Sequence, residues 1–143
     1  MRIRLIAAGT RLPAWIDAGV EEYARRFRRG LQFELVEIPL VRETERMRAA
    51  INASDYVVAL EVGGRPMTTA QLAQWFGARM SGGKNLALLI GGPEGLDAGL
   101  SAAADFRWSL SPLTWPHGLV RVMVAEQLYR AHSLLLGHPY HRA

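Results

Sequence analysis

The chain of 143 residues contains no cysteine. That excludes a disulfide framework, a thiolate metal site and a cysteine nucleophile. Lysine is almost missing as well: Lys84 is the only one, so arginine carries nearly all of the positive charge. No apolar run approaches the roughly 18 unbroken residues of a membrane-spanning helix, and no membrane partner is expected. Met1 leads directly into the strand-like stretch Ile3 to Ala8. With no hydrophobic signal segment there, a cytoplasmic protein is the simplest expectation. Linkers, internal repeats and low-complexity segments are also lacking, so residues 1–143 read as one domain, long enough to bury a core of its own.

Half of the residues are apolar and 21% are charged, as in an ordinary globular protein. The net charge of +4 and a pI near 10.1 suit an anionic partner, or describe no more than a solvated basic surface. Arginine forks match phosphates and stack on bases, but a GC-rich coding sequence would favour arginine too.

Short apolar runs alternate with helical patterns. Strands are expected at Arg2–Ala8, Phe33–Ile38, Tyr56–Val62, Leu86–Ile90 and Phe106–Leu110. Helices are expected at Pro13–Arg29, Val41–Ala53, from Thr68 or Thr69 to Met80, weakly at Gly95–Ala104, and at Leu119–Leu136. Trp15, Ile16, Val20, Tyr23, Ala24 and Phe27 follow helical spacing in the first of these. Gly63-Gly64-Arg65-Pro66 reads as a turn. The unbroken apolar run Leu86–Ile90 fits a strand covered on both faces. Repeated β-then-α order predicts an α/β fold, a mostly parallel sheet with helices on both faces.

Two features of the last third draw chemical interest. Gly91-Gly92-Pro93-Glu94-Gly95 follows a buried strand and precedes a helix, so its backbone could approach a ligand closely. It is neither a dinucleotide fingerprint nor a P-loop, and a tight structural turn explains the pattern equally well. Glu94 fits a first-turn carboxylate favoured by the helix dipole. The second feature, Ser109 to Gly118, holds two prolines, two serines, a threonine, a tryptophan and a histidine. A rigid loop with apolar side chains and exposed amides suits an adenine-like ring, and long irregular loops in compact domains usually serve function.

The last helix carries Val120, Met123, Val124, Leu128 and Leu135 as an apolar stripe. Arg121, Glu126, Arg130 and His132 are expected to be solvated, with Glu126 and Arg130 forming an ordinary surface ion pair four residues apart. His138 and His141 have metal-like spacing, but no carboxylate or cysteine accompanies them, so no metal is expected. No serine, histidine and acid arrangement suggests a hydrolase triad.

Several segments together resemble the RlmH family. They are Leu88-Leu89-Ile90-Gly91-Gly92-Pro93-Glu94-Gly95, Trp108-Ser109-Leu110-Ser111, Pro116-His117, Leu119-Val120-Arg121-Val122, Ala125-Glu126-Gln127-Leu128-Tyr129-Arg130-Ala131 and the ending His138-Pro139-Tyr140-His141-Arg142. Near the N-terminus, Ala8-Gly9-Thr10, Glu22-Tyr23, Arg25-Arg26-Phe27, Phe33-Glu34-Leu35 and Glu37-Ile38-Pro39 fit as well. The likeness spans nearly the whole chain. It departs between about Val41 and Ala53, where the connection is shorter and lacks lysines, a segment expected to lie away from the cofactor loops.

The RlmH family consists of small SPOUT-class methyltransferases acting on large-subunit ribosomal RNA. The resemblance implies a C-terminal trefoil knot, against the general rule that chains avoid threading, and a homodimer. It implies S-adenosylmethionine held by Leu60, Gly91, Leu110, Ser111, Pro112, Leu113, Thr114 and Trp115. The implied target is N3 of a pseudouridine in the helix 69 loop of 23S rRNA, on assembled ribosomes. His117 is then expected beside the methyl donor, as the first candidate base. Tyr140, His141 and Arg142 are expected over the target nucleotide, supplied by the partner subunit, with Arg130 holding a phosphate or the tail and Glu126 orienting one of these groups. A SPOUT-class tRNA methyltransferase and a non-enzymatic ribosome- or RNA-binding module are the alternatives.

Overall fold

A computed structural model of the chain describes residues 1–140, apart from the side chain of His117. Five strands form one sheet: β1 (Arg2–Ala8), β2 (Gln32–Ile38), β3 (Tyr56–Pro66), β4 (Leu86–Ile90) and β5 (Phe106–Ser109). Their order is β2-β1-β4-β3-β5, and every neighbouring pair is parallel. β4 occupies the centre and is buried at all of its residues, which is why it reads as an unbroken apolar run.

Period-two alternation along the strands divides the core into two layers. Ile3, Leu5, Leu86, Leu88 and Val58 face α1 (Ala14–Ala24), α3 (Thr69–Ser81) and α5 (His117–Leu136). Ile6, Ala8, Ala87 and Leu89 face the other way, with Met47 of α2 (Glu43–Ala50) and Leu100 of α4 (Ala98–Ala103). The doubly covered parallel sheet expected from the sequence is present.

Several boundaries differ for local reasons. The first helix ends at Ala24 rather than Arg29. Arg28 Nη1 donates to the carbonyls of Arg25 and Phe27 at 2.7 and 3.0 Å, and Arg29 takes a left-handed φ of 59°. Together they turn the chain before Gly30. Thr68 is the cap of α3, forming a capping box with Gln71 that satisfies two otherwise orphaned amides. Asp97, not Glu94, caps α4, accepting from Gly99 and Leu100 amides at 2.9 and 3.1 Å. The expected turn at Gly63–Pro66 lies inside β3, whose pairing with β5 breaks between Leu60 and Arg65 and then resumes. A Cβ on Gly64 would stand 2.8 Å from backbone carbons of Arg107 and Trp108, so glycine permits this close re-entry.

Burial overturns two expectations. Trp15, at a helical apolar position, is 62% exposed. Arg121 is fully buried and His132 only 1% exposed, where both were expected to be solvated. A second buried cation, Arg4 in β1, is paired with Asp55 at 2.6 Å and also donates to the Ala50 carbonyl at 2.8 Å. Removing one member of such a pair leaves an uncompensated charge, typically costing about 3–5 kcal/mol. Asp55→Ala is therefore expected to destabilise the fold by about 3 kcal/mol in urea unfolding, and Arg4→Met with Asp55→Ala to recover much of that loss.

Candidate functional site

Parallel strands deliver their following loops to one edge, the usual ligand edge of an open α/β sheet. Here the segments after β3, β4 and β5 meet around a cavity of about 370 Å³, within the size range of small-molecule sites. Of the residues expected to hold a cofactor, Leu60, Gly91, Leu110, Ser111, Leu113, Thr114 and Trp115 line it, and Pro112 does not. Pro112 is exposed, and its place in the loop sets backbone shape instead.

The sequence reading missed Glu61 and Val62, which line the same wall. They fall in the stretch where β3 loses register with β5. A pairing break leaves little trace in composition, although Gly63-Gly64 stands next to it. Val120, on the first turns of α5, closes the cavity from that side.

Each loop is shaped by specific contacts. A Cβ on Gly91 would collide with the backbone of Gly95 and Leu96, so only glycine fits where the loop folds back on itself. Gly95 follows with φ +85°, a conformation that favours glycine. The Gly92 amide donates to Glu43 Oε1 at 2.8 Å. That bond corrects the expectation that the segment 41–53 lies away from the cofactor loops, because the start of α2 directly braces the glycine loop.

In the second loop, Ser109 Oγ donates to the Ser111 carbonyl at 3.0 Å, and Ser111 Oγ accepts from the Leu113 amide at 3.0 Å. These serine bridges hold the irregular backbone without regular structure. Trp115 Nε1 is buried and has no partner among the described residues, so the cavity wall carries an unsatisfied donor.

α5 begins where this loop ends. One turn further, Arg121 Nη1 pairs with Glu37 at 2.7 Å, and Nη2 donates to the carbonyls of Ala8 and Gly9 at 3.1 and 2.8 Å. The ends of β1 and β2 thus grip the helix that emerges from the cavity. His117 stands at the head of α5.

The remaining expected residues form a separate group further along α5. Arg130 donates to Glu126 Oε1 through Nε and Nη2 at 2.9 and 2.6 Å. Tyr140 folds back so that its hydroxyl donates to the same oxygen at 3.1 Å, its ring 4.9 Å from that of Tyr129. The Arg130 guanidinium lies 5.1 Å from the Tyr140 ring centre. Glu126 is buried, so this pair is a partly enclosed hub rather than the solvated pair expected. His138 Nδ1 accepts from the Tyr140 amide at 3.1 Å, which ties the turn of the tail. His141 and Arg142 lie outside the described residues. None of Glu126, Arg130 and Tyr140 lines the cavity, so one chain does not bring the two groups into a single site. Among the described residues no group of three or more His, Cys, Asp or Glu side chains could hold a metal ion, and no helix is long and apolar enough to cross a membrane.

Residues 1–141 match a family model described as a predicted SPOUT methyltransferase. A ribosomal RNA large subunit methyltransferase H of Alkalilimnicola ehrlichii is 51% identical over 156 aligned positions, covering all of both chains. A protein of the same name from Hahella chejuensis is 45% identical over 155 positions, covering 99% of each. Among solved structures, TrmJ from Z. mobilis superposes with a TM-score of 0.54 at 13% identity, over 92% of this chain and 69% of its own. The SpoU methyltransferase AviRb of Streptomyces viridochromogenes, solved with AdoMet, gives 0.52 at 13% identity over 90% of this chain and 57% of its own. At that identity the two structures speak to the fold alone.

Burial pushes the Tyr140 phenol well above its usual ionisation range, and its hydrogen bonding with Tyr23 and the charge of Glu126 add to this. A group whose folded value is raised contributes stability below its unfolded value of about 10, and that stability is lost as pH rises above it. In alkaline difference titration, wild type should therefore hold one more un-ionised phenol in the native state than its other tyrosines lead one to expect. Tyr140→Phe should remove that late phenol and flatten the loss of stability above pH 10.

Proposed function

The chain belongs to the SPOUT methyltransferase family, and from that premise we propose that it methylates N3 of a pseudouridine in the helix 69 loop of 23S rRNA, on assembled ribosomes, with S-adenosylmethionine as donor. The observation that carries the reading is the cavity where the glycine loop and the serine-braced loop meet. The full-length likeness to two proteins named for large-subunit ribosomal RNA methylation supports the substrate class.

The residues fit the donor. Leu60, Leu110, Leu113 and Trp115 offer apolar walls to an adenine ring, Glu61 offers a carboxylate to a hydroxyl or cationic group, and the unpaired Trp115 Nε1 offers a donor. At Gly91 the loop already closes so tightly that a methyl side chain has no space. When bound, S-adenosylmethionine supplies an electrophilic methyl group.

This chain's own groups hold and expose the acceptor. The N3–H of the target must be lost before N3 can attack, so a base or a stabiliser of the ring anion is required. His117, leading α5 out of the cofactor loop, is the residue we assign to proton removal. Tyr140 is held neutral by its surroundings, so it is a hydrogen-bond donor rather than a base, its hydroxyl turning from Glu126 Oε1 to a ring carbonyl when the target binds. Arg142 and His141 add donors of charge-assisted hydrogen bonds.

Within one chain Tyr140 sits on Glu126 and does not line the cavity, so we assign the second half of the site to a partner subunit. Support for a homodimer lies in the exposed Trp15 on α1 and the exposed Leu135 on α5, two helices that pack side by side. The trefoil threading belongs to the same proposal, as does the cytoplasm as the place where ribosomes are met.

Calorimetry with S-adenosylmethionine tests the cofactor reading: wild type is expected to bind, and Gly91→Ala to lose at least tenfold in affinity. No binding by a folded wild-type protein would leave the binding-module alternative. Mass spectrometry of 23S rRNA and of tRNA after incubation then identifies the acceptor, with methylation expected on the ribosome and not on free tRNA. Removal of residues 140–143 should leave cofactor affinity within about twofold and lower methylation at least a hundredfold, roughly 2.7 kcal/mol of barrier. Unchanged turnover in the truncated protein would dismiss the tail from the mechanism.

A further inference from the structure

A second cleft, of about 190 Å³, opens where the end of α1 meets the last turns of α5, lined by Arg26, Arg28, Tyr129, His132, Ser133 and His138 with Leu136. Its floor is the imidazole of His132, 1% exposed. Both ring nitrogens are buried without a partner among the described residues. Packing accounts for the ring itself, since His132 stacks on Phe27 at 5.7 Å and 20°. It does not account for the nitrogens: a buried polar atom left without a partner carries a desolvation penalty, and phenylalanine would pack there without it.

The groups around the imidazole are cationic. Arg26 and Arg28 line the cleft, and the charge of Arg29 acts on His132 from the turn after α1. His138 closes the cleft from the segment after α5. Glu22 is the carboxylate at hand, engaged by Arg25 and by Arg26 at 3.2 Å. Arg28 uses Nη1 for the Arg25 and Phe27 carbonyls, which fixes the guanidinium while its other donors remain for a ligand. A fixed arginine fork, a second arginine and a buried ring nitrogen around a small cleft match the tetrahedral acceptor geometry of a phosphate.

We propose that this cleft is a phosphate-binding site, made by Arg26, Arg28 and His132, and that the phosphate it takes is a backbone phosphate of the RNA substrate. The cleft shares no lining residue with the cofactor cavity, so it anchors RNA at a distance from the reacting base. That assignment rests on the RNA-methyltransferase reading above, whereas the phosphate chemistry does not. Burial, and secondly the charge of Arg29, hold the imidazole below its ordinary ionisation range. A bound anion reverses that balance, because a nearby opposite charge favours the protonated form.

The test has two arms. In the first, the intact wild-type protein is titrated with inorganic phosphate at constant ionic strength, chloride serving as control, and imidazole resonances are followed by NMR. The expected result is a saturable shift of the His132 signals and a rise of the His132 pKa, both absent with chloride. No saturable response overturns the site. In the second arm, Arg28→Gln and Arg28→Lys are compared for binding to assembled ribosomes that lack the methyl group. Both are expected to bind about tenfold more weakly, and Arg28→Gln to show a shallower salt dependence by about one phosphate contact, with calorimetric affinity for S-adenosylmethionine unchanged. A phosphate response in the first arm with unaltered ribosome binding overturns the RNA assignment in favour of free phosphate. Failure of wild type to methylate ribosomes refutes the functional reading separately, since the NMR response does not depend on it.

Discussion

The arrangement depends on the buried guanidinium of Arg121. A fully enclosed cation survives only where its partners replace water. Arg121 has the Glu37 carboxylate and the carbonyls of Ala8 and Gly9, groups from the ends of two neighbouring strands. Gly9 makes room by its own geometry, with φ +111° and the guanidinium 3.4 Å from where a Cβ would stand. The result is a fixed origin for α5. Everything hung on that helix inherits its position: the serine-braced loop before it, Val120 at the cavity, and the Glu126–Arg130 pair that receives the tail.

From that origin the helix organises two chemically different regions. Its head borders the cavity, whose walls are mostly apolar and whose backbone is constrained by glycine. Its middle and end carry charge and aromatic rings, with Glu126 accepting from Arg130, Gln127 and Tyr140 together. An acceptor shared among three donors is over-determined, and so the tail's turn is set by side chains rather than by helix propensity. A rise of about 1.5 Å per residue puts Glu126 some distance along the axis from Val120. One chain therefore carries the cavity at the head of α5 and the docked Tyr140 further along the same helix.

Much of the fold was legible in the sequence because its signals are local. The run Leu86–Ile90 reads as a strand buried on both faces, and Thr68 or Thr69 marks a helix start. The cavity loops were legible for the same reason, since proline, glycine and serine report backbone shape directly. What escaped were consequences of tertiary contact. Arg121 and His132 look solvent-facing on a helical wheel, and only the packing of α5 against α1 and the strand ends shows them buried. Glu61 and Val62 read as ordinary strand residues, yet a break in pairing with β5 turns them to the cavity. The short segment 41–53 looked remote from the glycine loop until Glu43 was seen to accept from the Gly92 amide.

That last contact bears on what holds the glycine loop in place. The segment 41–53 contains α2, whose first residue supplies a carboxylate to an amide of the glycine loop at 2.8 Å. A carboxylate accepting from a backbone amide is among the stronger hydrogen bonds available to a loop. Arg42 enters α2 with a left-handed φ of 53°, a tight turn before the helix that leads directly into the residue bonded to Gly92. The position of the glycine loop therefore depends on Glu43, at the head of α2, delivering an acceptor to that point.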